Sequence, residues 1–206
     1  MVLDHVHISH VSKLGSSIPC VNLPPVKTCN PSAPCYQKCY ARKGRFRFKR
    51  NVELLEKNLF IYRMDPGFYE REVMIAAAPC KFFRWHSSGD IPDMEYLKMM
   101  IRIAHRIPDT RFLCFTKQYD MINSCLSAGL SIPDNLTMVM SVWGEFGLDY
   151  DSNPFNLPQA FIKFKSGITT IPDYARKCSG FCGDCIASSQ SCWDLKYGQA
   201  VYFNEH

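Results

Sequence analysis

Short apolar runs alternate with helical patterns along most of this 206-residue chain. The runs at 81–86 (KFFRWH), 111–116 (RFLCFT) and 136–142 (LTMVMSV) are rich in β-branched and aromatic residues, which is typical of buried strands. The segments between them repeat apolar residues at helical spacing, and the connections are short. Such alternation indicates parallel β/α units with right-handed crossovers. About six units predict an α/β fold, a compact partial (β/α) barrel, with a doubly wound open sheet as the alternative.

Local signals set the bounds of several elements. Asn51 and Asp93 each precede apolar residues at helical spacing, which predicts a helix start at both positions. A third helix is expected over 119–128, ending at Gly129. Further strands are expected at 17–23, 161–164 and 201–203, and alternating histidines (His5, His7, His10) are typical of one face of a short strand.

No repeat or long linker divides the chain, so we expect a single domain over residues 1–206. Residues 1–50 would hold the N-terminal strand, a cysteine loop and a basic segment. Residues 51–170 would form the β/α core, and 171–206 a second cysteine loop and the last strand. The first ten residues lack a signal-peptide pattern, and no apolar run approaches the roughly 20 residues of a membrane helix. We therefore expect a cytoplasmic protein with no membrane partner.

Eleven cysteines stand out in a chain expected to be cytoplasmic, where they indicate metal or redox chemistry rather than disulfides. Near the C-terminus the spacing is C-x3-C-x2-C-x6-C. Gly180 and Gly183 would let this loop bend around a metal centre, with amides left to donate to sulfur. Zinc sites usually draw cysteine pairs from more distant segments, so the crowding favours an iron–sulfur cluster, with structural zinc as the alternative. The four predicted ligands are Cys178, Cys182, Cys185 and Cys192.

A second group of thiols, Cys29, Cys35 and Cys39, follows the first predicted strand with the spacing C-x5-C-x3-C. Three protein ligands would leave one coordination site of a cluster open, as catalysis or ligand binding requires. A closed site is the alternative, completed by Cys20, Cys80 or a histidine.

The segment 12–44 (SKLGSSIPCVNLPPVKTCNPSAPCYQKCYARKG), followed by RWHSSGD and FTKQ, resembles the gene-product-88-like proteins of phages and bacteria. This resemblance covers most of the chain, including the C-terminal cysteine loop, and implies a phage- or bacterium-encoded protein. More distantly, the chain is similar to the radical S-adenosylmethionine (SAM) superfamily. That similarity implies a [4Fe–4S] cluster on the three-cysteine loop, SAM bound to its unique iron, and an external electron donor.

The superfamily's motif for the SAM amino group lies after the second core strand, where this chain has Ser88, Gly89 and Asp90. The resemblance thus implies that these residues contact SAM; a plain turn with a helix cap is the alternative. Lys117, a fourth candidate for binding the cofactor, ends the next strand, and Trp143-Gly144-Glu145 end the one after. All three segments should therefore share one edge of the sheet. The superfamily's usual C-x3-C-x2-C spacing occurs instead at the C-terminal loop, where the fourth thiol predicts a closed, structural or electron-transferring cluster.

A basic segment spans residues 42–50 (RKGRFRFKR), and without its six positive charges the formal net charge of +5 would become −1. Phe46 and Phe48 are interleaved with the cations, a pattern suited to phosphate contacts and base stacking. The segment could equally support an anionic cluster or simply face solvent.

Two hypotheses follow from these features. The first is a radical-SAM-like iron–sulfur enzyme of unknown substrate, with an open N-terminal [4Fe–4S] cluster and a closed C-terminal one. The second is a non-catalytic iron–sulfur or zinc protein that binds nucleic acid through residues 42–50 or transfers electrons. His86, two residues before Ser88, is expected to be a core histidine rather than a catalytic one.

Overall fold

A mostly parallel sheet of eight strands organises the part of the chain that the computed structural model describes, namely residues 4–10, 18–33, 35, 39–143, 152–165 and 170–205. Its order is β1-β2-β3-β4-β5-β6-β8-β7, with β1 antiparallel to β2 and the other neighbours parallel. The strands are β1 (Ile8–His10), β2 (Pro19–Val21), β3 (Phe82–Trp85), β4 (Arg111–Thr116), β5 (Leu136–Ser141), β6 (Gln159–Lys163), β7 (Arg176–Lys177) and β8 (Ala200–Asn204).

Five α-helices lie in the described ranges: α1 (Lys49–Met64), α2 (Pro66–Ala77), α3 (Met94–Arg106), α4 (Tyr119–Ser127) and the short α5 (Cys182–Ala187). Single 3-10 turns occur at Tyr40–Arg42, Gly44–Arg47 and Cys192–Asp194. No helix in these ranges is long and apolar enough to cross a bilayer.

The two faces of the sheet are covered by different parts of the chain. Helices α1 to α4 pack on one face, which we call the helix face; the strand residues buried there include Phe83, Trp85 and Phe112. The C-terminal segment packs on the opposite face, which we call the loop face, through Trp193 and Leu195. The apolar strand residues buried on the loop face include Cys20, Leu113, Val139, Ala160 and Val201.

The predicted mixed α/β class with a mainly parallel sheet is confirmed, but a barrel is not. Strands β2 to β6 are neighbours in chain order and their helices share one face, which also excludes the doubly wound alternative. The sheet stays open because the antiparallel β1 ends one side and the two-residue β7 the other. The C-terminal segment occupies the face that would line the interior of a closed barrel.

The strands expected at 81–86, 111–116, 136–142, 161–164 and 201–203 are confirmed as β3, β4, β5, β6 and β8, and Pro19–Val21 falls within the one expected at 17–23. Asp93 caps α3 as predicted, because its side chain accepts from the Tyr96 amide at 2.9 Å. The predicted cap at Asn51 is wrong. Helix α1 begins at Lys49, and the Asn51 side chain instead donates to the Arg45 carbonyl at 2.7 Å, steadying the 3-10 turn before the helix.

Candidate metal centres

The carboxyl ends of β2 and β3 are tied together by backbone and side-chain hydrogen bonds. The buried Asn22 carbonyl oxygen accepts from the amides of Ser87 at 2.7 Å and Ser88 at 3.0 Å. The Leu23 amide donates to the Ser88 carbonyl at 3.0 Å, and the Ser88 hydroxyl donates to the Leu23 carbonyl at 3.2 Å. Ser88 therefore binds the chain that leads from β2 into the first cysteine loop.

Gly89 allows a close backbone approach, as expected, but to the protein itself. Its φ is +80°, and a Cβ at this position would lie 2.7 Å from the Leu23 carbonyl oxygen and 2.8 Å from the Thr28 hydroxyl. Any other residue would clash with the segment that precedes Cys29.

Asp90 is buried and its carboxylate is held by backbone amides. One oxygen accepts from the Ile91 amide at 2.8 Å and the other from the Lys117 amide at 2.9 Å. Burial raises the pKa of Asp90, while the Lys117 amide and the Thr116 hydroxyl oppose that rise. The carboxylate thus joins the end of β4 to the segment after β3, and its expected contact with SAM stays a prediction.

The first cysteine loop is bound to the ends of the strands at two further points. The Asn30 side-chain amide donates to the Lys117 carbonyl at 3.2 Å. The Gln118 side chain donates to the carbonyls of Thr28 at 3.2 Å and Ile91 at 2.9 Å. Segments 28–30, 88–91 and 116–118 therefore meet at one edge, as their positions after successive strands predict.

The three N-terminal thiols lie near one another at this edge. Burial raises the pKa of Cys29 to about 12, with smaller contributions from the charges of Asp90, Cys39 and Cys35. Burial also raises the pKa of Cys35, and the Lys117 charge opposes the rise. The charges of Asp90, Cys35 and Cys39 thus act on Cys29, and the Lys117 charge acts on Cys35. Gly144 and Glu145 lie outside the described residues, and the Trp143 ring packs edge-on against Phe164 at 5.1 Å.

Within the C-terminal cysteine loop, polar groups of the loop lie close to the cysteine sulfur atoms. The Gly180 amide donates to Cys178 Sγ at 3.3 Å, and Gly180 has a φ of +92°. The Ser179 hydroxyl lies 3.1 Å from Cys185 Sγ, within hydrogen-bonding distance. A backbone amide thus donates to sulfur in this loop, as the glycine spacing predicts.

Burial raises the pKa of Cys182, and it raises that of Cys192 to about 12. In both cases neighbouring thiols of the same loop add to the rise and Arg84 opposes it. Cys178, Cys182 and Cys192 also pack against the buried residues of the loop face. Three of the four predicted ligands therefore lie over one part of the sheet, and the charge of the fourth, Cys185, acts on Cys182.

Trp193 fixes this loop to the sheet. Its indole N–H donates to the Phe83 carbonyl at 3.1 Å, and its own carbonyl accepts from Arg111 at 2.7 Å and from the Thr137 hydroxyl at 2.9 Å. Arg111 also pairs with Asp194 at 2.5 Å. Because Cys192 precedes Trp193 directly, these contacts set the position of the last thiol.

Arg84 is a functional candidate that the sequence analysis did not identify. It lies on β3 beside Cys20 of β2, and its guanidinium carbon is 4.3 Å from the centre of the Phe115 ring. Burial raises the pKa of Cys20, Cys182 and Cys192, and the positive charge of Arg84 opposes that rise. The sequence signal that could have identified it is a positive charge in the middle of the predicted strand segment KFFRWH.

His86 is a core histidine, as expected. Its Nε2 lies 3.0 Å from the Tyr96 hydroxyl, which in turn lies 3.0 Å from the Tyr69 hydroxyl. Burial, with a smaller contribution from Arg84, lowers the pKa of His86 to about 3, so the ring is neutral at physiological pH. His86 therefore belongs to a buried aromatic cluster under the sheet.

The basic segment is exposed along nearly its whole length. Two aromatic rings stand among its charges: Phe48 is 62% exposed, and Tyr40, just before the segment, is 57% exposed. The Tyr40 hydroxyl donates to the Ser87 carbonyl, and its ring packs edge-on against Phe46 at 5.9 Å. The segment is thus attached to the same edge as the first cysteine loop.

All eleven cysteines lie in the described ranges and are free thiols. Within these ranges no three Cys, His, Asp or Glu side chains are already arranged to hold a metal ion. The donor sets nevertheless fit iron–sulfur chemistry in kind and number, with four clustered thiols in one loop and three in the other. Closure around the metal on binding would be required, as is common for metal sites that form with the fold.

Residues 6–166 match the family described as gene product 88. The matched region contains the first cysteine loop, residues 88–90 and Lys117, but it ends before Cys178. The expectation that the resemblance extends through the C-terminal cysteine loop is therefore not met. No curated protein and no solved structure shows a significant match to the chain.

Proposed function

The chain belongs to the gene product 88 family, and we propose that it is an iron–sulfur protein whose four C-terminal cysteines hold a closed cluster. The observation that carries the proposal is the packing of Cys178, Cys182 and Cys192 against the buried residues of the loop face. The Gly180 amide donates to Cys178 Sγ, and Arg84 supplies a positive charge nearby. Amide donors and nearby cations stabilise the anionic ligand set of a cluster. The proposed ligands are Cys178, Cys182, Cys185 and Cys192.

We further propose that Cys29, Cys35 and Cys39 hold a second, open cluster, so that the protein acts as a radical-SAM-like enzyme. With SAM bound, such a cluster would supply the electron that cleaves the cofactor. The residues of the chain would position the ligands and exclude water. Asp90 would hold the ends of the strands around the cysteine loop through the Ile91 and Lys117 amides. Lys117 would balance the charge of the Cys35 thiolate.

Anaerobic purification followed by iron and acid-labile sulfide analysis tests the clusters. We expect Cys192→Ser and Cys35→Ser each to lose one cluster's share of iron and sulfide. Cys80→Ala is the matched control, because Cys80 is a half-buried thiol that donates to the Ala76 carbonyl at 3.4 Å, at the end of helix α2. Zinc in place of iron, or no sulfide, would contradict the proposal.

The enzymatic part has a separate test. An iron-loaded, reduced sample should cleave SAM to 5′-deoxyadenosine, and Cys35→Ala should abolish the product while Cys192→Ser leaves SAM binding intact. Failure of a fully iron-loaded sample to bind SAM would reject the enzyme and leave an iron–sulfur protein without this activity.

A second candidate function is binding of single-stranded nucleic acid by residues 42–50. The exposed rings of Tyr40 and Phe48 among the cations favour it, because rings stack on bases while cations contact phosphates. Arg45→Gln/Arg47→Gln should weaken binding to an oligonucleotide and reduce its salt dependence. Lys163→Gln/Lys196→Gln removes the same charge from exposed positions elsewhere and serves as the control. Equal binding by the two variants would reject this surface.

A further inference from the structure

Arg84 is a partly buried cation whose charge no carboxylate balances within the described ranges. Its Nε donates to the Trp85 carbonyl at 3.1 Å, and its guanidinium group stacks over Phe115. Arg111, on the neighbouring strand, is by contrast paired with Asp194. A guanidinium remains charged at all accessible pH values, so a partly desolvated one generally has an anionic neighbour.

Thiols lie around Arg84 on the loop face. Cys20 is its direct neighbour on β2. Leu113 is its neighbour on β4, and Cys20 and Leu113 both belong to the buried cluster of the loop face. Phe115, on which Arg84 stacks, packs against the same cluster, as do Cys182 and Cys192. Arg84 therefore stands between the sheet and the C-terminal cysteine loop.

We propose that Arg84 is the counter-charge of the C-terminal thiolates, a positioning residue that a strand contributes to the site on the loop above it. The inference rests on the proposed function, because it assigns Arg84 to the cluster held by Cys178, Cys182, Cys185 and Cys192. Four thiolates in a partly buried site repel one another, and a fixed guanidinium reduces that repulsion more strongly there than it would in water. Stacking on Phe115 fixes the guanidinium in place, so the charge is present before the metal arrives.

The test compares Arg84→Met, which removes the charge, with Arg84→Lys, which keeps it. Arg71→Met is the matched control, because Arg71 also lies over an aromatic ring, 5.9 Å from the centre of Phe68, but on helix α2. In metal-free protein at pH 8, the rate of alkylation of Cys182 and Cys192 by iodoacetamide is followed by peptide mass spectrometry. We expect a several-fold slower reaction in Arg84→Met, and rates close to wild type in Arg84→Lys and Arg71→Met.

Protein loaded with iron–sulfur clusters allows a second measurement. The reduction potential of the C-terminal cluster, measured in a Cys35→Ser background, should become more negative in Arg84→Met and stay near the wild-type value in Arg84→Lys. Circular dichroism checks the fold, and Arg84→Gln replaces Arg84→Met if the latter does not fold. Equal alkylation rates in all variants would overturn the role of Arg84. If wild-type protein takes up no iron, only the proposed function fails, because the alkylation rates still decide whether Arg84 acts on these thiols.

Discussion

Asp90 was predicted from the sequence to contact SAM, and in the structure its carboxylate joins two segments at the edge of the sheet. Its two oxygens accept from amides that belong to different strand ends, and it is buried. The sequence placed Asp90 after β3, at the edge that also carries Lys117. It did not indicate what Asp90 contacts, because Thr28 and Lys117 lie 62 and 27 residues away along the chain.

Asp90→Asn should destabilise the protein by about 1–3 kcal/mol, because the new NH2 group faces a backbone amide and leaves one buried donor without an acceptor. Urea unfolding of metal-free protein measures the effect. Glu95→Gln is the control: Glu95 pairs with Lys98 on an exposed helix surface, and its change should have little effect on the free energy of unfolding. If Asp90→Asn were as stable as the wild-type protein, the hydrogen bonds from the Ile91 and Lys117 amides would contribute little to stability.

His86 should make stability depend on pH in the mildly acidic range. The unfolded chain takes up a proton near pH 6.5, whereas burial lowers the pKa of His86 in the folded state to about 3. The stability associated with the neutral ring is present above pH 6.5 and is lost as the pH falls below it, by about 1.4 kcal/mol per unit.

We therefore expect wild-type protein to lose about 2 kcal/mol more than His86→Gln between pH 7 and pH 5, measured by urea unfolding at both values. His5→Gln is the control, because it makes the same change at a side chain that is 85% exposed. Identical pH dependence in wild type and His86→Gln would contradict the buried, neutral state of His86.

At the scale of elements, local sequence patterns predicted most strands and helices. They did not predict that the C-terminal cysteine loop packs on one face of the sheet. The runs KFFRWH and RFLCFT became β3 and β4, and Gly129, with a φ of +86°, follows the end of α4. Helix α2 was not predicted, because Pro66 and Gly67 resemble a break. Pro66 instead occupies the first turn, where a missing amide costs little, and Asp65 caps the helix.

The docking of the C-terminal cysteine loop rests on Trp193, which bonds to Phe83 across 110 residues of sequence. No local pattern reveals a contact at that separation. Trp193→Phe keeps a ring against Phe82 but leaves the Phe83 carbonyl without its donor, so it should cost about 1–3 kcal/mol. Urea unfolding measures the loss, and iron retention should fall in parallel if the loop carries a cluster. Tyr197→Phe, at a 59% exposed position, is the control; equal stability of the two variants would reject the anchor.

On the scale of the whole molecule, two cysteine segments from opposite ends of the chain meet one sheet. The first lies at the carboxyl edge of β2 to β4, and the second covers the loop face beside it. The sequence predicted both sets of thiols and the edge that carries the first. The position of Arg84 beside Cys20, on the face that the second segment covers, could be identified only once the strand register was known.

The region matched by the family ends at residue 166, yet the sheet continues beyond it: β8 pairs along its whole length with β6. A chain ending at residue 165 would lose β7, β8 and Trp193, and would expose the buried side chains of Leu113 and Val139. We expect it to lose cooperative thermal unfolding and to bind a hydrophobic dye.

The 206-residue chain with Cys178, Cys182, Cys185 and Cys192 all replaced by Ser is the control, because it loses the proposed ligands but keeps β8 and Trp193. Cooperative unfolding of the shorter chain near the full-length midpoint would show that residues 6–166 fold without the C-terminal segment. It would also mean that the second cysteine loop is an addition to a fold already complete.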